Sequence, residues 1–231
     1  MPFRAPSQPG TTPQNRGRFP GLDVLSQVEK WDDVTAGAVL SRLAHPTGPA
    51  FFTPTEVAVA RPLLDLLLAQ DGEPRVPVLE MVDERLALGE TDGWHYDDLP
   101  EDAQAWRETL AALDQEAATR FGRGFAELTG SEQAPLVQAV QDADTWHGFV
   151  AGHVWSLWTR YACTAFWSHP WAWNEMGFPG PAYPRGYLNL GVDAREKWER
   201  ADAAATDPAP VGRRVEQARR EHAARLAEED R

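Results

Sequence analysis

A stripe of apolar residues at helical spacing constrains the fold more than any other feature of this sequence. Its members follow one another at intervals of four, three, four and four residues: Trp106, Leu110, Leu113, Ala117 and Phe121. Residues at these intervals lie on one face of an α-helix. Pro100 marks the beginning of this predicted helix, and Gly122 marks its end. The sequence has no long run of alternating polar and apolar residues, the pattern of a strand, so we predict an all-α fold, an irregular helical bundle.

Two capping boxes mark further helix starts. Thr53 is followed by Glu56 at the third position, and Thr129 is followed by Glu132 in the same way. In such a box the threonine side chain and the glutamate side chain each accept a hydrogen bond from the other residue's backbone N–H. Pro62 is expected to kink or divide the first of these two helices. The predicted helices besides the one above span about residues 33–43, 54–70, 76–88, 130–140 and 144–167.

The chain divides into three segments by composition. Residues 1–18 carry four prolines and no acidic residue, and we predict a disordered arm. Residues 19–191 form the predicted helical domain. Its last part, residues 168–191, holds four prolines and four glycines, which predict a Trp/Pro/Gly-rich loop without regular structure. Residues 192–231 are predicted to form a linker and a charged C-terminal helix over about residues 211–229.

The charge balance argues against two classes of partner. The chain has 231 residues, of which 35 are acidic and 22 basic, for a formal net charge of -13. So acidic a surface repels phosphate groups, and we expect neither nucleic acid nor anionic lipid as a partner. No apolar run approaches the ~20 residues that span a bilayer, so direct membrane insertion is not expected. Without an apolar stretch behind the N-terminal arginines, we expect a cytoplasmic location, or export on a signal-bearing partner.

The residues offer no familiar catalytic constellation. The chain lacks a glycine-rich phosphate loop, a Gly-x-Ser-x-Gly motif, a dinucleotide fingerprint and a His-Glu-x-x-His motif. The single cysteine, Cys163, excludes a redox centre built on the chain's own thiols, and we interpret it as an inert packing residue. Two Asp-x-x-His sequences begin at Asp92 and Asp144, and we interpret them as surface pairs. We interpret His153 as a hydrogen-bonded core histidine and predict no catalytic, cofactor-binding or metal-binding residue.

Tryptophan is concentrated in one part of the chain. Six of the ten tryptophans fall between residues 146 and 173: Trp146, Trp155, Trp158, Trp167, Trp171 and Trp173. The apolar face of the predicted helix explains Trp146 and Trp158 but not the other four. Either these four rings fold back and cover the bundle, or they belong to an interface with a partner, where tryptophan is enriched.

Four sequence blocks resemble those of one known family. They are Phe-Phe-Thr-Pro-x-Glu at residues 51–56, the stretch 110–128 with Arg-Phe-Gly at its centre, Phe-Trp-Ser at 166–168, and Pro-Trp-Ala-Trp-Asn leading to Gly-Phe-Pro-Gly-Pro at 170–181. In this order they resemble the small (gamma) subunit of gluconate 2-dehydrogenase, the subunit 3 family, over about residues 51–182. The chain is also similar to the small subunits of related FAD-dependent sugar and alcohol dehydrogenases.

The resemblance implies a non-catalytic accessory subunit. Such subunits pair with a large FAD-dependent oxidoreductase of the glucose–methanol–choline (GMC) type, so FAD is expected in the partner and no cofactor in this chain. The partner-binding candidates form a predicted rigid surface after the aromatic helix: Trp167, Trp171, Trp173, Asn174, Phe178, Pro179, Gly180 and Pro181. The alternative is a stand-alone enzyme or small-molecule binder that uses the tryptophans as a pocket, with His147, His153 or His169 as acid or base.

Overall fold

The computed structural model describes residues 19–183 apart from residues 20, 45–47 and 74, together with residues 186, 200, 201 and 220. Helices dominate this part of the chain, and the predicted all-α fold is confirmed. The predicted arm over residues 1–18 lies outside the described residues. So does the predicted linker and charged helix over residues 192–231, apart from residues 200, 201 and 220.

Seven α-helices follow one another in the described part of the chain. They are α1 (Asp33–Leu40), α2 (Pro54–Leu67), α3 (Val78–Ala87), α4 (Asp102–Phe121), α5 (Gly130–Asp142), α6 (Ala151–Ser168) and α7 (Pro170–Met176). Short 3₁₀ helices occupy Val24–Lys30, Ser41–Leu43 and Phe125–Glu127. Two strands, β1 (Thr145–Trp146) and β2 (Phe149–Val150), pair in antiparallel orientation. No helix in this part is both long enough and apolar enough to cross a membrane.

The helix starts predicted from the capping boxes are confirmed. Thr53 N donates to Glu56 Oε2 over 2.7 Å, and Glu56 N donates to Thr53 Oγ1 over 3.3 Å. Arg107 of α4 binds the same carboxylate oxygen over 2.6 Å, so this capping box also fixes the start of α2 against α4. Pro62 lies inside α2 without dividing it. The capping box at Thr129 opens α5, as predicted.

The main core lies where α2, α3, α4, α5 and α6 meet. Phe121 at the end of α4 is half-exposed, and the other four members of the predicted stripe are buried in this core. Tyr161 of α6 packs against the stripe, and its ring meets that of Trp106 edge to face with 5.7 Å between the centroids. Gly122 ends α4 with a φ of 69°, the left-handed conformation that the sequence predicts.

The predicted start of α6 at residue 144 is wrong. Residues 145–150 form a hairpin, whose two central residues, His147 and Gly148, have φ values of 48° and 88°. Two consecutive positive φ values are typical of a type I′ turn, whose twist matches the twist of the paired strands. The hairpin brings Trp146 into the main core, and α6 begins only at Ala151.

The prediction of an irregular loop directly after α6 is also wrong. Helix α7 occupies Pro170–Met176. Pro170 at its first position has the φ that a helix needs, and Nδ1 of His169 accepts a hydrogen bond from the backbone N–H of Trp171 over 3.2 Å. Gly177 ends the helix with a φ of 75°. Start and stop signals therefore enclose a helix of only seven residues.

A second, smaller core joins α7 to the N-terminal residues. Val24, Trp31 and Val39 pack there with Trp173 of α7. Val24 N donates to Asn174 Oδ1 over 2.9 Å, which adds a polar contact between the two segments. We name residues 21–44 the N-terminal clasp, because they cover one side of α7.

Candidate functional site

The eight predicted partner-binding residues do not form one exposed surface. Trp167 is 43% exposed. Four of the others are buried and three are partly buried, in this order: Trp173, Asn174, Pro179 and Gly180, then Trp171, Phe178 and Pro181. Contacts within the chain bury most of these residues, so the prediction of an open contact surface is wrong for them. The rings of α7 instead pack against the rest of the chain. Partner binding by these residues stays a prediction.

The N-terminal clasp is the physical reason for this burial. Gly180 has a φ of 87°, and a Cβ added there would lie 2.5 Å from the ring of Trp31. Just before the clasp, Phe19 lies equally close to Gly177, where an added Cβ would lie 2.5 Å from its ring. Real side chains hardly ever approach so closely, so the N-terminal residues pack directly against these two glycines.

The three histidines of the alternative pocket have separate environments. His147 Nε2 lies 3.4 Å from a carboxylate oxygen of Glu116. His153 Nδ1 lies 2.6 Å from Asp98 Oδ1, and the ring is half-buried at the edge of the bundle, not in the predicted core position. His169 is buried at the start of α7. Each ring has a partner of its own, and the structure does not gather the three into one acid–base site.

A network of charged groups joins the loop after α3 to three helices. Asp92 accepts hydrogen bonds from Arg85 of α3 and from Arg160 of α6, each over 2.5 Å. Arg160 also donates to Asp102 at the start of α4 over 3.2 Å. The hydroxyl of Tyr161 donates to the same carboxylate over 2.7 Å. The network holds α3, α4, α6 and the loop in one arrangement.

Two members of this network have shifted pKa values. Partial burial raises the pKa of Asp92, but the hydrogen bonds and positive charges of Arg85 and Arg160 outweigh it and leave the pKa below its ordinary value. Burial and the hydrogen bond to Asp102 raise the pKa of Tyr161 well above its ordinary value. Asp92 is therefore a charged partner in two ion pairs. Among the described residues, no three His, Cys, Asp or Glu side chains are placed to hold a metal ion.

Exposed apolar side chains lie beside this network. Leu88, just past the end of α3, is 66% exposed, and Trp94 is 49% exposed. The guanidinium carbon of Arg160 lies 4.8 Å from the centroid of the Trp94 ring, which orients the indole. Three exposed residues of α6 follow Arg160 at helical spacing. Together these five form what we name the α3–α6 surface: Leu88, Trp94, Cys163, Thr164 and Trp167.

A cleft of about 310 Å³ opens within this surface, between α3 and α6. Met81, Val82, Leu88 and Ala165 give it apolar walls. This volume lies at the lower end of the range of pockets that hold small molecules.

One expectation about this surface needs correction, and two of its residues were missed. Cys163, predicted as a packing residue, is exposed, because the buried face of α6 passes through Ala162 and Phe166 and leaves position 163 outside. Leu88 and Trp94 were not among the predicted site residues. Both follow the end of α3 in a loop without helical periodicity, and no sequence signal marks their exposure.

The sequence profile of one family matches the chain over residues 54–180, and the family is described as gluconate 2-dehydrogenase subunit 3. No curated protein and no solved structure matches the chain significantly. The match begins at the first residue of α2 and extends past α7, so it includes the α3–α6 surface and leaves out the N-terminal clasp. Because the match spans more than half of the 231 residues, the chain belongs to the gluconate 2-dehydrogenase subunit 3 family.

Proposed function

We propose that this chain is a non-catalytic accessory subunit that binds and stabilises a large FAD-dependent oxidoreductase of the GMC type and supports its maturation. FAD belongs to the large subunit in this proposal, and the complex forms in the cytoplasm or leaves it with a signal-bearing partner. The family supports a role as a subunit of a dehydrogenase. The observation that carries the proposal is the α3–α6 surface, where two half-exposed tryptophans and an exposed leucine are found among the exposed residues of α6 and of the loop after α3.

Apolar side chains in this arrangement favour association with another protein. Each half-exposed tryptophan can bury roughly 100 Å² more, which at about 25 cal/mol per Å² is about 2.5 kcal/mol before the costs of association. The ring of Trp94 also meets the ring of Tyr96 edge to face at 5.3 Å, and Phe166 contacts Trp167 in the same way at 4.9 Å. Rings already held in place lose little conformational entropy on binding.

Co-expression with a GMC-type flavoprotein from the same genome tests the proposal. We expect the two chains to co-purify and to elute together in gel filtration. We also expect more FAD per large subunit when this chain is present than when it is absent. Separate elution of the two chains, with equal FAD content in both preparations, would overturn the proposed function.

A further inference from the structure

We propose that the α3–α6 surface receives a basic patch of the large flavoprotein subunit, with an apolar side chain of that patch entering the cleft between α3 and α6. This inference rests on the proposed function and adds the place of docking and the chemistry of the partner's surface.

The α6 members of the surface follow one face of the helix. Arg160 contacts the ring of Trp94 at one end. Trp167 follows Arg160 by seven residues, which is two helical turns and about 10 Å along the same face. Thr164, on the face between them, also lines the cleft that Leu88 borders. A partner that covers the cleft and extends about one helical turn to either side along α6 would reach Trp167 at one end and Arg160, with Trp94, at the other.

The charged residues around the cleft determine which kind of partner surface can bind. Glu90 borders the cleft, and Asp97 and Glu101 line a hollow beside Trp94. Glu90, Asp97 and Glu101 are all exposed. Of the basic groups in the same region, Arg85 and Arg160 bind Asp92 over 2.5 Å each, and His95 Nε2 lies 3.3 Å from a carboxylate oxygen of Glu101. The rim therefore presents exposed carboxylates to a partner, while Arg85 and Arg160 are paired within the chain.

Charge complementarity then assigns a basic partner surface. Arginine or lysine side chains placed opposite Glu90, Asp97 and Glu101 would lower the electrostatic energy of the complex and raise the rate of encounter. An acidic partner surface would be repelled, all the more because the whole chain has a formal net charge of -13. The mixture of apolar centre and charged rim is the common arrangement of protein interfaces.

Two surface variants test the site. Trp167→Ala removes an exposed ring, and the double variant Glu90→Lys/Asp97→Lys reverses the charge of the rim. Their matched controls are Phe121→Ala, an exposed ring at the end of α4, and Asp71→Lys, an exposed acid after α2. Circular dichroism melting of all variants verifies that each one is folded, which is expected because all five positions are exposed.

The measurement is the dissociation constant of each variant for the purified large flavoprotein subunit, at low and at high salt. Truncating an important interface tryptophan costs a factor of about ten or more, so we expect at least this loss for Trp167→Ala and for the double charge variant. The controls should bind like the unaltered chain. Higher salt should weaken binding of the unaltered chain and have little effect on the double charge variant.

The outcomes separate the two proposals. If the unaltered chain does not bind the flavoprotein at all, the proposed function fails and this inference fails with it. If the unaltered chain binds and the surface variants bind as tightly as the controls, the proposed function stands and the docking site is elsewhere. A double charge variant that binds more tightly than the unaltered chain would overturn the basic character of the partner surface.

Discussion

Trp31 donates a hydrogen bond from its indole Nε1 to the carbonyl oxygen of Pro181 over 2.9 Å, which joins two residues 150 positions apart. The bond fixes the N-terminal clasp to the segment that follows α7. The same ring belongs to the second core with Trp173. One tryptophan of the clasp thus packs against α7 through its ring and binds the segment after α7 through its indole N–H.

The first prediction concerns the ring on α7 that this clasp covers. Trp173→Ala should reduce the free energy of unfolding by about 3–5 kcal/mol, because it leaves a cavity in the second core. Trp167→Ala, which truncates an exposed ring, should change the same quantity by less than about 1 kcal/mol. Urea unfolding of both variants measures the difference. Equal stability of the two variants would contradict the assignment of Trp173 to a core.

A second prediction compares two glycines. Gly180→Ala adds a methyl group against the ring of Trp31 at a positive φ, so the variant should lose about 1–3 kcal/mol. Gly152→Ala lies in the first turn of α6 with no atom near the added Cβ, and it should gain about 0.5–1 kcal/mol. Thermal midpoints of the two variants should therefore move in opposite directions. A rise of the midpoint in Gly180→Ala would contradict the close approach of Trp31.

The third prediction concerns the stability of the fold at acidic pH. The pKa of Asp92 is lower in the folded chain than its ordinary value of 3.8, so its contribution to stability is complete above about pH 4 and is lost as the pH falls through the folded-state pKa. The unaltered chain should be more stable than Asp92→Asn at pH 6, and this difference should shrink as the pH falls from 4 towards 3. Urea midpoints of both proteins across this range measure it. A difference that stays constant with pH would show that the ion pairs of Asp92 add no stability.

The fourth prediction uses Cys163 as a probe. Because this thiol is exposed, a thiol reagent should modify it in the folded protein at a rate comparable to that in urea. The large flavoprotein subunit should slow the reaction if it covers the α3–α6 surface, and Cys163→Ser provides the blank. A thiol that reacts only after unfolding would contradict the exposed position.

Local signals account for the parts of the fold that could be predicted from the sequence. The capping boxes at Thr53 and Thr129 and the stripe of α4 depend on residues within one or two turns of each other, so their sequence neighbours determine them. The hairpin at His147 carries a local signal as well, since a residue pair ending in glycine favours the type I′ turn. The helical spacing of the surrounding residues concealed it.

The remainder depends on contacts between distant residues. The burial of Trp173 is caused by Trp31 and Val24, which are more than 140 positions away in the sequence. Within the candidate site, Trp167 could be predicted from the concentration of tryptophan in the sequence. Leu88 and Trp94 could not be predicted in this way. Arg85 and Arg160 bind Asp92 and so fix the position of the loop after α3, and the loop has no periodicity that would indicate which of its side chains are exposed.

The N-terminal clasp lies outside the residues that match the family, yet it packs against them. The family match starts at residue 54, after the clasp has ended. A fragment cut to the matched residues would keep every helix from α2 to α7. It would uncover apolar side chains on α7 and just after it, among them Trp173 and Phe178. Such exposed side chains favour self-association. Any fragment of this protein intended for crystallisation or binding assays should therefore begin before residue 21.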